Sequence, residues 1–167
     1  GSYPLSVISN GVPGTVVDQD EVESVPANAA FADLGLTDLA VAYQKSPSTY
    51  AALSRAGTEL VTINGATAAV RTLTTGASLI APSFDSLGWI WSGERSNSGS
   101  LTVSTALEMA PLTVAAPWLQ GMNVCDIAVS REGSRIVIVA ESGSEVKTYV
   151  AGITRAADGA PTSLGDP

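Results

Sequence analysis

The chemistry open to this 167-residue chain is narrow, because it contains no histidine and a single cysteine, Cys125. Ser-His-Asp and Cys-His nucleophile systems need an imidazole base, and many zinc and iron sites need it as a ligand, so these classes are excluded. One thiolate cannot build a metal site, and neither a Gly-x-Ser-x-Gly elbow nor a phosphate-binding glycine pattern occurs. Ser144-Glu145-Val146-Lys147 has the Ser-x-x-Lys spacing of penicillin-recognising enzymes. That chemistry needs the serine and lysine one turn apart on a helix, whereas Ser142-Gly143-Ser144 reads as a hairpin turn entering an alternating strand. The acidic run Asp18-Gln19-Asp20-Glu21-Val22-Glu23 fails as a calcium loop, because Glu23 stands at the sixth position, where the sharp turn needs glycine. It reads as a solvated loop.

Carboxylates remain. A glycosidase needs only two positioned acids, and Asp85 with Asp126 is the pair to test, within about 5–10 Å across a cleft. Asp85 adjoins Phe84 and precedes Trp89 and Trp91, which alternate onto one face of a strand. The plainer expectation is that Asp85 accepts hydrogen bonds from turn amides while the indoles pack between layers. The functional one assigns Trp89, Trp91 and Trp118 to a partner-binding surface, since tryptophan is enriched among residues that dominate binding energy. Glu94 and Arg95, in the polar stretch Gly93-Glu94-Arg95-Ser96-Asn97-Ser98-Gly99, then form its rim. Cys125 lies in the apolar run Val124-Cys125-Asp126-Ile127-Ala128-Val129 and is expected in the core. No cofactor or metal is expected.

The elements that position these residues are repeated. Leu53-Ser54-Arg55-Ala56-Gly57-Thr58-Glu59-Leu60-Val61 returns 76 residues later as Val129-Ser130-Arg131-Glu132-Gly133-Ser134-Arg135-Ile136-Val137. Between them lies a looser copy, Pro82-Ser83-Phe84-Asp85-Ser86-Leu87-Gly88-Trp89-Ile90-Trp91. The glycines fall 31 and 45 residues apart. Apolar strand, Ser-x-x-Gly turn and second apolar strand, recurring about every 40 residues, is the pattern of a β-propeller blade.

Strands are predicted at 39–43, 50–53, 58–63 and 67–73 for one blade, at 78–82, 88–92, 100–104 and 112–115 for a second, and at 123–129, 134–140, 145–153 and toward Leu164 for a third. The fold class is therefore all-β, a partial propeller of about three four-stranded antiparallel blades over residues 39–76, 77–118 and 119–167. Gly1-Ser2 reads as the remnant of a cleaved tag. Residues 3–34 are an N-terminal hairpin, turning at Asn10-Gly11, and a linker; the propeller segment is 35–167. Closed propellers have four to eight blades, so missing blades or a partner chain are expected, and the open blade edges invite self-association.

Composition fits. Glycine and proline are spread along a chain that is 45% hydrophobic and 14% charged, as many short strands joined by turns require. A formal charge of -8 repels phosphate backbones, and no Lys/Arg stripe offsets it, so nucleic acid is not an expected partner. No apolar run reaches about 18 residues, the length of a spanning helix.

The order Leu-Ser-Arg-x-Gly-Thr (53–58), Pro-Ser-Phe-Asp-x-x-Gly-Trp-Ile-Trp (82–91), Val-Ser-Arg-Glu-Gly-Ser-Arg-Ile (129–136), then Val150-Ala151-Gly152-Ile153, Asp158-Gly159 and Leu164-Gly165, resembles the β-propeller domain of LpqB-type actinobacterial lipoproteins. The resemblance spans about 35–167 and implies the N-terminal part of that propeller. It also implies a lipoprotein on the extracytoplasmic face of the cell membrane, held by a lipid anchor that this chain does not contain. The partner it implies is the extracytoplasmic domain of a two-component sensor histidine kinase controlling cell-wall metabolism and division. No catalytic residues carry over. The alternatives are a TolB-like or carbohydrate-binding propeller with its ligand over the central channel, and the carboxylate-dependent hydrolase already named.

Overall fold

The computed structural model describes residues 8–9, 12–13, 35–41, 49–65, 67, 69–96, 98–105 and 110–167. The chain divides into two units, 1–33 and 34–167. In the first, β1 (Ile8–Ser9) and β2 (Val12–Pro13) form an antiparallel hairpin pairing Ile8 with Pro13 and Ser9 with Val12. The Asn10-Gly11 turn and the acidic run 18–23 lie outside the described residues.

The second unit is all-β, and among its described residues the one helical element is a 3-10 turn, Pro117–Leu119. Its first sheet is an antiparallel meander of β3 (Leu36–Val41), β4 (Thr49–Ser54), β5 (Glu59–Asn64) and β6 (Val70–Thr75). A second meander consists of β7 (Ser83–Phe84), β8 (Trp89–Ser92), β9 (Ser100–Thr105) and β10 (Leu112–Ala115). The third comprises β11 (Asn123–Val129), β12 (Arg135–Ser142), β13 (Glu145–Arg155) and β14 (Pro161–Leu164). Its outermost strand touches the second meander through one parallel pair, Ala115 with Ser163, which makes the two formally one eight-stranded sheet. These are three four-stranded blades of a partial propeller.

Repetition in sequence is repetition in structure at the turns. In each copy the glycine N–H donates to the carbonyl three residues earlier: Gly57 to Ser54, Gly88 to Asp85 and Gly133 to Ser130, at 2.7, 3.1 and 2.8 Å. The three glycines have φ of 67°, 85° and 69°, a region that side chains disfavour. At the head of each turn a side-chain oxygen collects amides: Ser54 Oγ from Thr58 and Glu59, Asp85 Oδ1 from Leu87 and Trp89, Ser130 Oγ from Arg135.

The turns also show how the first blade differs. Ser54–Gly57 joins the second and third strands of its sheet, whereas the other two turns join the first and second. Strand β4 is therefore the counterpart of β7 and β11, and β3 is an added strand on that edge. Among the described residues the first blade has no counterpart of β10 and β14, which is why its glycine precedes the next by 31 residues and not 45.

Several strand boundaries move. The first strand is Leu36–Val41, so it starts three residues before the expected 39, with a bulge between Thr37 and Ala40 and Asp38 at φ 53°. Strand β6 starts at Val70, because Asn64 Oδ1 accepts the Thr67 N–H and Asn64 N donates to Ala69 O, closing a wider loop. The strand expected at 78–82 is reduced to a bridge between Leu79 and Glu94, and pairing resumes at Ser83. Pro82 has no N–H to give a ladder, and Ser92 Oγ binds Ile80 O instead at 2.8 Å.

The middle blade is apolar on both faces. Every residue of β8 is buried, and alternation sends Trp89 and Trp91 one way and Ile90 the other. The two tryptophans join Leu101, Val103, Ile136 and Ile138 in the core between the second and third blades. Ile90 and Phe84 join Leu79, Ala51, Leu53 and Leu60 of the first blade.

Candidate functional site

Asp85 stands where the other two repeats carry serine, and it does more than cap its turn. Its side chain is fully buried, and its two oxygens receive four donors: Leu87 N and Trp89 N on Oδ1, both at 3.0 Å, and Trp91 Nε1 at 3.2 Å and Arg155 Nη2 at 2.6 Å on Oδ2. Four is about the capacity of a carboxylate. Arg155, near the end of β13, spends its other donors on carbonyls: Nε and Nη2 on Gly133 O at 3.0 and 2.9 Å, and Nη1 on Gly159 O at 2.8 Å. The turn of one blade is thereby locked to the turn and third strand of the next. Gly133 is required by contact as well as by φ, since a Cβ there would lie 2.6 Å from Arg155 Nη2.

Two more bonds fasten the same junction. Ser86 N donates to Arg131 O at 2.9 Å, and Val129 N to Ser83 Oγ at 3.0 Å. Above this anchor the two turns present Leu87, 54% exposed, beside the exposed Arg131 and Glu132. Hydrogen bonds from its own backbone amide, then from Ser134 and Ser130, hold the Glu132 carboxyl below its ordinary pKa, with Arg135 adding a smaller pull. This rim therefore carries an apolar tip, a cation and an anion on a backbone with little freedom.

The expected site residues are not brought together. Trp91 is wholly buried and Trp89 is 7% exposed, so neither offers a face to a partner; they pack between blades as the plainer expectation had it. Trp118 is half-buried at the 3-10 turn, tilted 45° against Tyr149 with ring centroids 5.4 Å apart, and its Nε1 donates to Gly165 O at 3.0 Å. Glu94 and Arg95 are not an exposed rim. The Glu94 carboxylate accepts Ala77 N and Ser78 N at 3.1 and 3.2 Å, and Arg95 Nη1 reaches Cys125 O at 3.1 Å while its backbone pairs with Ser78 and Val124. In a polar stretch flanked by glycines both look solvated in sequence, but here Glu94 and Arg95 are stitched between strands.

Asp85 and Asp126 do not form an acid pair across a cleft. The first is sealed between blades with its lone pairs used, and the second is exposed on the opposite face of the third blade, with Oδ1 on the Ile127 amide at 2.8 Å. Cys125 is half-buried rather than core, because the bulge between Val124 and Asp126 takes it out of alternation. Its thiol lies 3.7 Å from Asn123 O. Ser144 sits in the Gly143-Ser144 turn and Lys147 on β13, where Nζ pairs with the exposed Glu145 at 2.6 Å, so the Ser-x-x-Lys spacing falls on a hairpin and not on a helix.

Sequence reading missed Arg155 and Leu87. A signal existed for both: an aspartate replacing serine in one repeat beside two tryptophans calls for a buried cation, and a leucine inside a turn has no core to enter.

Among the described residues no cluster of Cys, Asp and Glu side chains could hold a metal ion, and no helix is long and apolar enough to cross a membrane. Compared with curated proteins, the chain has no match. Compared with protein families, residues 14–167 match the lipoprotein LpqB beta-propeller domain. That match covers nearly the whole chain, and the chain belongs to the LpqB lipoprotein β-propeller family.

Proposed function

We propose that this propeller is a non-catalytic protein-recognition module of an extracytoplasmic, membrane-anchored lipoprotein, and an accessory regulator of a two-component sensor histidine kinase that governs cell-wall metabolism and division. The observation that carries the recognition role is the rim over the Asp85 anchor. Leu87 is 54% exposed at the tip of a turn that a buried ion pair and an inter-turn hydrogen bond immobilise. An exposed apolar side chain on a rigid turn loses little conformational freedom when covered, which is what makes a residue effective in binding. Arg131 and Glu132 give that tip a mixed-charge border, suited to fixing orientation. Family membership supplies the lipoprotein context, and the kinase role rests on the same likeness.

The test is sedimentation velocity of the chain mixed with the extracytoplasmic domain of the histidine kinase from the same cell. A faster joint boundary that is lost in Leu87→Asp, with Leu87→Asp still folded, supports the reading. A joint boundary unaffected by that substitution removes the rim, and no joint boundary at saturating concentration removes the partner.

A further inference from the structure

Trp118 and Tyr149 have no task in the rim described above. Trp118 stands in the 3-10 turn that follows β10, and Tyr149 lies on the side of β13 that carries Ala151 and, opposite it on β12, Ile138. Ile138 and Ala151 belong to the core between the second and third blades, and both aromatic rings pack against its border, half-buried. The pair therefore sits between two blades whose four strands are all described, on the side of the third blade turned toward the second. A further blade would pack against the opposite side of the third.

The two rings are fixed. The Trp118 indole N–H donates to Gly165 O at 3.0 Å, and the rings meet at 45° with centroids 5.4 Å apart. The turn beneath Trp118 is tied by Ala116 N to Gly99 O, Leu119 N to Ala116 O and Met122 N to Leu119 O, at 2.8, 2.9 and 3.0 Å. Polar groups of both kinds surround the rings. The Tyr149 hydroxyl and the amide of the exposed Gln120, two residues beyond Trp118, make no hydrogen bond to another described residue. Two positions before Tyr149 on the same side of β13, roughly 7 Å along the strand, the exposed Lys147 pairs with Glu145 at 2.6 Å. Asp166, next to Gly165, adds an exposed carboxylate.

Immobile aromatic faces bordered by donors and acceptors match the surface of a sugar ring. A pyranose has one face of C–H bonds, whose positive hydrogens suit the negative face of an aromatic ring, and a rim of hydroxyls that both donate and accept. We infer that Trp118 and Tyr149 form a binding platform for a neutral glycan chain, with Tyr149 Oη, Gln120 and the Lys147–Glu145 pair serving its hydroxyls. A proline-rich peptide is the other common guest of an aromatic groove. Its main-chain carbonyls need donors, and the indole N–H at hand is already given to Gly165 O. An anionic ligand would meet Glu145 and Asp166 on a chain of formal charge -8. Because the rings and their bonds are set in advance, a guest pays little to order them. The platform shares no residue with the Leu87 rim and does not depend on it.

NMR titration of the isotope-labelled 167-residue chain with cellotetraose and with chitotetraose tests the inference. Saturable binding of at least one, with Kd at or below about 1 mM, is expected, with shifts centred on the Trp118 indole and on residues 117–122 and 145–149. Trp118→Ala should weaken it by about tenfold or more. Since Trp118 also packs against the core, Tyr149→Phe, which keeps the ring and loses only the hydroxyl, is the second variant and should weaken it by about threefold or more with the fold unchanged. No binding of either glycan up to about 10 mM overturns the inference. So do shifts centred elsewhere, affinity indifferent to Tyr149→Phe, or a proline-rich decapeptide that binds the same residues more tightly than either glycan.

Discussion

Replacing Asp85 by asparagine removes one charge and almost no volume, so its cost isolates the electrostatics of the anchor. Oδ1 of the amide can still accept Leu87 N and Trp89 N. The NH2 that takes the place of Oδ2 then faces Trp91 Nε1 and Arg155 Nη2, both donors, in a site closed to water. Arg155, 15% exposed, keeps its carbonyl partners but loses its counter-charge. Breaking a buried ion pair from one side costs about 3–5 kcal/mol. Against a total stability of about 5–15 kcal/mol, that lowers the melting temperature of a domain of this size by about 6–20 °C. Urea denaturation followed by tryptophan fluorescence is the assay, since Trp91 touches the altered group. Arg155→Met and the double variant complete a cycle: the double change should cost less than the sum of the single ones by about 1–3 kcal/mol. An Asp85→Asn variant within about 0.5 kcal/mol of the parent, or an additive cycle, would refute the view that this pair holds the blades together.

Gly57→Ala and Gly133→Ala meet the same strained φ, 67° and 69°, but only the second meets Arg155 and Asp85, so the first should cost about 1–2 kcal/mol and the second clearly more in the same denaturation experiment. An equal or reversed ranking counts against the packing of the anchor. Ser104 Oγ is buried with no hydrogen-bond partner, so Ser104→Ala should leave stability unchanged or raise it by up to about 1 kcal/mol; a loss on thermal denaturation would reveal a partner. Glu94→Gln gives up one of the carboxylate oxygens that bind Ala77 and Ser78, and should destabilise by about 1 kcal/mol. Gly76→Ala, whose Cβ would collide with Glu94 Oε1, should cost more than Glu94→Gln, and both are read by melting temperature.

The fold was largely legible because its signal is local and repeated. Short apolar runs on either side of a turn, and glycines at a fixed distance from Ser or Asp, mark strand–turn–strand units without reference to the rest of the molecule. Strands β10 and β11 fall at 112–115 and 123–129, where the pattern placed them. What failed was whatever depends on partners distant in sequence. Glu94 and Arg95 look solvated until amides 17 residues upstream and a carbonyl 30 residues downstream arrive to use them. Cys125 looks buried until a bulge shifts the register. Asp85 and Arg155 are 70 residues apart, and no spacing rule joins them.

The exception at Asp85 follows from the shape of its own turn. The serine turns reach five residues ahead, from Ser54 Oγ to Glu59 N and from Ser130 Oγ to Arg135 N, whereas Asp85 binds Trp89 N at only four. The middle repeat is one residue shorter, and its strand enters sooner, bringing Trp91 Nε1 down onto the turn. A serine hydroxyl at 85 could not serve two amides, an indole and a guanidinium together. A carboxylate can, and once it is buried it needs a counter-charge, which Arg155 brings from the neighbouring blade. The shortened turn, the tryptophan and the ion pair are therefore one device. Its consequence for recognition is that Leu87 is held out to solvent on the turn that is bound most tightly to its neighbour, so a partner covering it meets a preformed surface.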